Sequence, residues 1–95
     1  MPYIKKPERD KYDPLIDRLA DILNTRESDG SVGGELNYIL FRLAKLLTNQ
    51  ETGGKRSYAR MAVVMSAMTE AAAEFRRRHM STYEDEKIRE NGDVA

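Results

Sequence analysis

The sequence predicts an all-α fold, a three-helix unit with a long third helix and a docked polar C-terminal tail. Three segments carry apolar residues at helical spacing, Gly-rich stretches separate them, and no segment alternates convincingly as a strand. A chain of 95 residues is long enough for one domain. We expect an extended arm over residues 1–12, a helical core over residues 13–80 and an acidic tail over residues 81–95.

The first helix is predicted to begin at Asp13-Pro14. Aspartate is a common N-cap, and proline at the first helical position has no N–H that needs a partner. The apolar stripe that follows consists of Leu15, Ile16, Leu19, Ile22 and Leu23. Three glycines predict a loop from Asn24 to Gly34.

The second helix has the most regular stripe, and we expect it to end near Thr48-Asn49. Its apolar residues are Leu36, Ile39, Leu40, Leu43, Leu46 and Leu47. The third helix is expected to have Ser57 near its cap and to run to Met80. Its stripe consists of Met61, Val64, Met65, Met68, Ala72, Phe75 and His79.

The length of the third helix predicts self-association. At 1.5 Å per residue it extends roughly 35 Å, well beyond the other two helices. The excess must be covered by the tail, the arm or a second copy. Four of the five methionines lie within residues 61–80, and methionine adapts well to irregular contacts and interfaces. We therefore expect a homo-oligomer built on this helix.

Composition excludes several classes of protein. There is no cysteine, so disulfide frameworks, thiolate catalysis and zinc fingers are excluded. The first residues have no apolar region typical of a signal peptide, and no apolar run approaches the ~20 residues that span a bilayer. With 34% charged residues and a mean hydropathy of −0.69, the chain is expected to be soluble and cytoplasmic, with no membrane partner.

The net charge argues against bulk binding of nucleic acid, which requires a positive surplus. Sixteen basic and sixteen acidic side chains give a formal charge of zero. The charges are nevertheless segregated. Residues 53–80 contain six basic and two acidic groups, whereas residues 81–95 contain two basic and five acidic groups. The positive field is therefore local.

The strongest candidate for a binding site is the run Arg76-Arg77-Arg78. The planar guanidinium donates paired hydrogen bonds to phosphate. Successive helical residues point about 100° apart, so at most two of the three can converge on one ligand. Alternatively, the three arginines pair with Glu84–Glu86 of the tail and complement the helix dipole, which is the more common fate of such a cluster.

A second candidate is the stretch from Gly53 to Arg60. A Gly-rich turn that enters a helix suits an anion, with charge from Lys55, Arg56 and Arg60 and a stacking ring from Tyr58. The spacing does not match a P-loop, and an ordinary flexible loop with a capped helix is the more common alternative. Asn37 and Tyr38 could also reach a ligand, or simply complete the first turn of the second helix.

No residue set predicts catalysis, a metal site or a cofactor. His79 is the only histidine and has no nucleophile beside it in sequence. Glu70 and Glu74 lie one turn apart but lack the Glu-x-x-His partners of di-iron bundles. The tail acids lack the spacing of an EF-hand loop. We expect that the protein is not an enzyme.

Four segments of the chain form a recognisable set: the opening Met-Pro-Tyr-Ile, the early Asp-Pro-Leu-Ile, the segment Gly34–Tyr38 and the closing Tyr83–Val94, which is the most specific. With these segments the chain resembles a family of small uncharacterised proteins of bacteriophages and prokaryotic genomes. The third helix differs, being richer in methionine and alanine. The resemblance implies a phage or mobile-element context and no particular activity.

That context favours one function among those open to a non-enzymatic helical protein. Some compact phage proteins act as sponges, oligomers that sequester nucleotide-derived immune signals without cleaving them. Our leading hypothesis is therefore an anti-defence sponge for a small phosphate-bearing, nucleotide-type ligand. The alternative is a protein-interaction or assembly module without such a ligand. The predicted ligand-binding residues are Arg76, Arg77, Arg56, Arg60, Tyr58, Tyr83, Asn37 and Tyr38.

Overall fold

The computed structural model describes residues 4–25, 31–51 and 53–94. These residues form α1 (Lys6–Arg9), α2 (Asp13–Asn24), α3 (Val32–Leu47) and α4 (Tyr58–Phe75), then a π-turn (Arg76–Met80) and α5 (Ser81–Asn91). Helices are the only regular elements in the described parts of the chain, which confirms the all-α prediction. The chain divides into two compact units, Met1–Phe41 and Arg42–Ala95.

The predicted extended arm is wrong over part of its length, because α1 occupies Lys6–Arg9. Pro7 lies in the first turn, where its fixed φ suits a helix. The short helix is held by backbone hydrogen bonds, from Glu8 N to Lys5 O at 2.9 Å and from Tyr12 N to Arg9 O at 2.9 Å. Residues 1–3 lie outside the described residues.

The second helix of the chain, α2, begins one residue earlier than predicted. Tyr12 is the N-cap, without a side-chain hydrogen bond, and Asp13 is already helical. Pro14 therefore takes the second helical position, where its missing N–H is equally unimportant. The helix ends at Asn24, where the predicted loop begins.

The predicted loop from Asn24 to Gly34 is too long, because α3 already begins at Val32. Two glycines are thus helical, although each is about 1 kcal/mol less favourable there than alanine. The leucine-rich sequence that follows propagates the helix back through them. The hydroxyl of Ser31 donates to Glu35 Oε1 at 3.3 Å, one turn on. Residues 26–30 lie outside the described parts. The end of α3 at Leu47 agrees with the prediction.

The long helix at the end of the chain starts where the sequence predicts, but it ends well after the predicted end. Ser57 is the N-cap, and its side chain accepts a hydrogen bond from Arg60 N at 3.3 Å. The predicted end at Met80 is wrong, because helical backbone continues to Asn91. The tail is therefore part of the long helix over Ser81–Asn91. Gly92 ends it with φ 86°, a conformation that favours glycine.

A π-turn joins α4 to α5 at the three arginines. Ser81 N–H bonds to Arg76 O, five residues back, and Arg76 N–H is shared between Ala72 O and Ala73 O. The helix does not break there, since residues 75, 76, 80 and 81 all keep right-handed helical angles. One extra residue in this turn changes which side chains line up before and after it.

No apolar side chain of the described residues is buried. In the second unit, Val63, Met65 and Phe75 are each 60% exposed. Only three apolar residues of the long helix are half-buried, namely Met61, Val64 and Met68. No helix in the described residues combines the length and the apolar character needed to cross a membrane.

Candidate functional site

The connection between α3 and α4, residues 48–57, is organised by three residues that follow the end of α3. Thr48, which is buried, donates its hydroxyl to Ala44 O at 2.7 Å. Asn49 takes a left-handed conformation with φ 61°, and its Nδ2 donates to Lys55 O at 2.9 Å. Gln50 N closes the last turn by donating to Lys45 O at 2.9 Å. Backbone carbonyls that a helix end leaves open are satisfied in this way.

Glu51 carries the charge of this connection. Its carboxylate lies 3.2 Å from Lys45 Nζ and 3.4 Å from Arg42 Nε. The hydrogen bond from Lys45 is the largest influence on Glu51 and lowers the pKa of the carboxyl below its ordinary value. Partial burial opposes that change, and the charge of Arg42 adds to it. Two basic side chains of α3 are thus balanced by one acid.

The predicted site residues near the start of α4 have roles within the connection. Arg60 Nε donates to Leu47 O at 3.1 Å and so caps the end of α3. Arg56 donates to Gln50 Oε1 at 3.4 Å. Tyr58 is 84% exposed. Here the structure brings together two arginines and one tyrosine of the predicted set, with both guanidinium groups already hydrogen-bonded.

We call Arg76, Arg77 and Arg78 the basic block. Two of its members bind the same carboxylate: Arg77 pairs with Glu74, and Arg78 Nε lies 2.6 Å from Glu74 Oε1. The side chain of Arg76 makes no hydrogen bond or ion pair with any described residue. Partial burial raises the pKa of Glu74, but the hydrogen bonds from Arg78 and Arg77 outweigh it and leave the pKa below its ordinary value.

We call Glu84, Asp85 and Glu86 the acidic block. The expected pairing of these acids with the arginines does not occur. The helix itself prevents this pairing. Ion pairs along a helix join residues three or four apart. The centres of the two blocks, Arg77 and Asp85, are eight residues or about 12 Å apart. The acidic block consequently makes no ion pair with any described residue.

The remaining predicted residues are dispersed. The ring of Tyr83 lies under Lys87 Nζ at 5.4 Å. Asn37 and Tyr38 lie on α3 in the first unit and are exposed. Along α4, Arg60 and Arg76 are 16 residues or about 24 Å apart. A small ligand could not touch the arginines at both ends of α4 in one chain, so a shared site would need neighbouring copies.

The sequence analysis missed the partners of the basic residues. Glu74 stands three residues before Arg77 and four before Arg78, a spacing that predicts helical ion pairs. The ion pairs of Glu51 with Arg42 and Lys45 could not be predicted from sequence spacing, because they depend on the turn that follows α3.

The described residues offer no obvious catalytic or metal site. His79 packs against Phe75, with ring centroids 5.3 Å apart and planes at 46°. Across the described parts of the chain, no three histidine, aspartate or glutamate side chains gather as metal ligands would. The exposed charged and apolar side chains of this region are suited to binding through charge and apolar contact.

The family model described as Domain of unknown function (DUF6899) matches residues 1–94. No curated protein and no solved structure shows significant similarity to the chain.

Proposed function

The chain belongs to the DUF6899 family, and from the geometry above we propose that it is a non-enzymatic assembly module that acts as a homo-oligomer. The observation that carries this proposal is the lack of any buried apolar side chain among the described residues. A folded domain derives most of its stability from apolar burial. The partner that supplies this burial is a second copy of the chain.

The exposed apolar surface is concentrated enough to form an interface. On the long helix, Met65, Phe75, Met80, Tyr83 and Ile88 are all exposed. Full burial of one such side chain contributes about 1.5–3 kcal/mol. Exposed apolar side chains that gather into a patch mark interaction sites in soluble proteins.

The charges favour a second copy over an unrelated partner. The formal net charge is zero, so two copies do not repel each other through net charge. Long-range attraction between them can therefore come only from their separated blocks. The acidic block is unpaired within the described residues, and so is the guanidinium of Arg76 in the basic block. A second copy offers the complement of both blocks.

One observation favours a second function, sequestration of a small phosphate-bearing ligand of nucleotide type. The guanidinium of Arg76 is free of partners within the described residues, and the acidic block does not occupy it. An arginine with an open guanidinium fork is suited to phosphate. In this proposal the site forms where arginines of neighbouring copies meet, and a tyrosine such as Tyr83 stacks on the base. A phage-encoded protein of the host cytoplasm would use such a site as an anti-defence sponge.

The assembly proposal is tested by light scattering on the full chain and on a variant, Phe75→Glu. The wild-type chain should form an oligomer with a mass above 10.9 kDa. The variant places a charge in the apolar surface and should weaken association at least about ten-fold, because burying an unpaired charge is costly. Ser66→Glu, on the same helix but off the apolar stripe, should leave association unchanged. Equal effects of both substitutions would contradict the proposal.

The ligand proposal is tested by thermal shift with cyclic dinucleotides and ADP-ribose. Binding to the folded state should raise the melting temperature. At a ligand concentration 100 times Kd, the free energy of unfolding should increase by about 2.7 kcal/mol. Replacing Arg76 and Arg77 with Glu should abolish the shift. Ligand recovered unchanged after denaturation of the protein agrees with sequestration, whereas a cleaved product would identify an enzyme. If no ligand of either class shifts the melting temperature, the sponge proposal is wrong and the assembly proposal is unaffected.

A further inference from the structure

The apolar residues of the long helix follow one line, and the π-turn keeps them in it. Met68 and Phe75 are seven residues apart in α4, so they lie on the same side of the helix axis. In a regular α-helix, residues five apart differ by about 140° around the axis, so Met80 would leave the line of Phe75. The π-turn is closed by a hydrogen bond between residues five apart, from Ser81 N to Arg76 O. It therefore brings Met80 back to the side of Phe75.

Beyond the π-turn, the line continues to Tyr83. This residue follows Met80 by three positions, so the two side chains are neighbours on one face. We call Phe75, Met80 and Tyr83 the distal stripe. Their side chains are 60%, 41% and 59% exposed in that order, whereas Met68, earlier on the same line, is half-buried. The distal stripe is therefore apolar surface that the described residues leave uncovered.

One basic and one acidic side chain flank the distal stripe on the same side. Arg76 directly follows Phe75, and Glu84 directly follows Tyr83. Each charged residue is thus about 100° around the axis from its apolar neighbour, in the same direction. Neither side chain makes a hydrogen bond or an ion pair with another residue that the structure describes. Both charges are open to a partner that meets this flank.

A second copy in the antiparallel direction complements the stripe and its flank together. When two helices pair antiparallel through one face, the same flank of each copy meets, so Arg76 lies opposite Glu84 of the other copy. The same arrangement places Phe75 opposite Tyr83. Both pairs have their midpoint at residues 79–80, where Met80 meets Met80 of the other copy. In a parallel pair, opposite flanks meet, and Arg76 would not face Glu84.

The other flank of the distal stripe is compatible with this arrangement. It carries Glu74, directly before Phe75, and Glu86, and these two acids would lie opposite each other. Glu74 is already paired with Arg77 and Arg78. Its charge is therefore compensated within each copy, and the repulsion of Glu86 is weak.

From these observations we infer that the distal stripe is the surface through which two copies pair, centred on Met80, with an ion pair from Arg76 to Glu84 of the other copy on one flank. The π-turn determines this surface, because without it the apolar line would end at Phe75. The inference rests on the proposed assembly function and specifies its interface.

The length of the π-turn tests the alignment of the stripe. Insertion of one alanine between His79 and Met80 rotates Met80 and Tyr83 by about 100° relative to Phe75. It should weaken association at least about ten-fold, because two apolar side chains leave the interface. Deletion of His79 places Met80 four residues after Phe75 in a regular α-helix, about 40° around the axis, and should retain association. Association that survives the insertion, or is lost with the deletion while circular dichroism shows an intact helix, would overturn the inference.

Charge reversal on the flank tests the ion pair, with the dissociation constant measured by analytical ultracentrifugation. Glu84→Arg places like charges opposite each other at both ends of the stripe and should weaken association at least about five-fold. Asp85→Arg is the matched control. It makes the same change in charge two residues after Tyr83, hence on the opposite side of the helix, and should leave association unchanged. Adding Arg76→Glu to Glu84→Arg restores the ion pair with reversed polarity and should recover wild-type association. Equal weakening at positions 84 and 85, or no recovery in the double variant, would contradict the pairing.

The outcomes separate this inference from the assembly proposal. If the wild-type chain is an oligomer but the turn variants or the charge variants behave otherwise than expected, the distal stripe is not the interface and assembly stands. If the wild-type chain is monomeric throughout, both are wrong.

Discussion

Glu74 determines the local electrostatics of the basic block. One carboxylate accepts hydrogen bonds from Arg77 and Arg78, so two guanidinium groups are oriented while Arg76 remains open. Because exposed pairs along a helix contribute little stability each, the main effect of Glu74 is on position and charge. It fixes two arginine side chains and leaves the block with a net positive charge.

The lowered pKa of Glu74 predicts the sign of a pH effect. A carboxyl whose pKa is lower in the folded state stabilises that state above its unfolded pKa, and this stabilisation is lost as the pH falls through the folded pKa. Glu74→Gln should therefore lower the melting temperature slightly at pH 7 and have no effect at pH 2. Glu70→Gln, one turn away and without an ion pair, is the control. A difference between wild type and Glu74→Gln that is the same at both pH values would contradict the assignment.

Ser57 is a second side chain with a measurable effect. Its hydroxyl accepts the hydrogen bond of Arg60 N and so caps α4. Ser57→Ala should cost about 1 kcal/mol of stability, whereas Ser57→Asp should retain most of it, because aspartate caps equally well. Urea denaturation followed by circular dichroism measures both. An equal loss for the two variants would mean that the cap is not the cause.

The helices show which parts of the fold the sequence could predict. The Asp-Pro start of α2, the leucine stripe of α3 and the Ser57 cap of α4 are local signals, and each places its helix to within a few residues. The errors occur where composition and structure disagree. Two glycines of α3 are helical because the leucines beyond them propagate the helix.

The end of the long helix was missed for a similar reason. The apolar stripe fades after Met80 and the charge inverts, which resembles a tail. Residues 81–91 nevertheless contain neither glycine nor proline and are rich in glutamate, lysine and arginine, which are good helix formers. The π-turn has no sequence signal that we could have used. The sequence could indicate which residue types would bind a ligand. It could not indicate their partners, because these depend on the continuation of the helix past Met80.

Extension of the helix to Asn91 gives a direct prediction. Proline in a helix interior costs about 3 kcal/mol, because it removes a hydrogen bond and clashes with the preceding turn. Asp85→Pro should abolish the helical chemical shifts of residues near 81–91, whereas Asp85→Ala should leave them in place. If Asp85→Pro changes no shifts beyond its neighbours, the tail is not helical in solution.

Taken as a molecule, the chain has amphipathic helices and no buried apolar side chain among its described residues. A chain of 95 residues has little margin of stability even with a full core. We propose that association supplies the missing burial and that the segregated charges direct it.

Salt should affect this association in a defined way. Attraction between the basic and acidic blocks is screened over about 8 Å at physiological ionic strength and about 3 Å at 1 M. Raising the salt from 0.05 to 1 M should weaken dimerisation several-fold without abolishing it, because apolar burial is not screened. Analytical ultracentrifugation measures the dissociation constant. Tighter association at high salt would indicate that the blocks repel rather than attract across the interface.

The most direct test of the account is the mass of the full chain in solution, measured by light scattering over a range of concentrations. We predict a multiple of 10.9 kDa that falls toward the monomer only on dilution. A mass of 10.9 kDa at every concentration, with a cooperative unfolding transition, would contradict the account, because the single chain would then be stable without a partner.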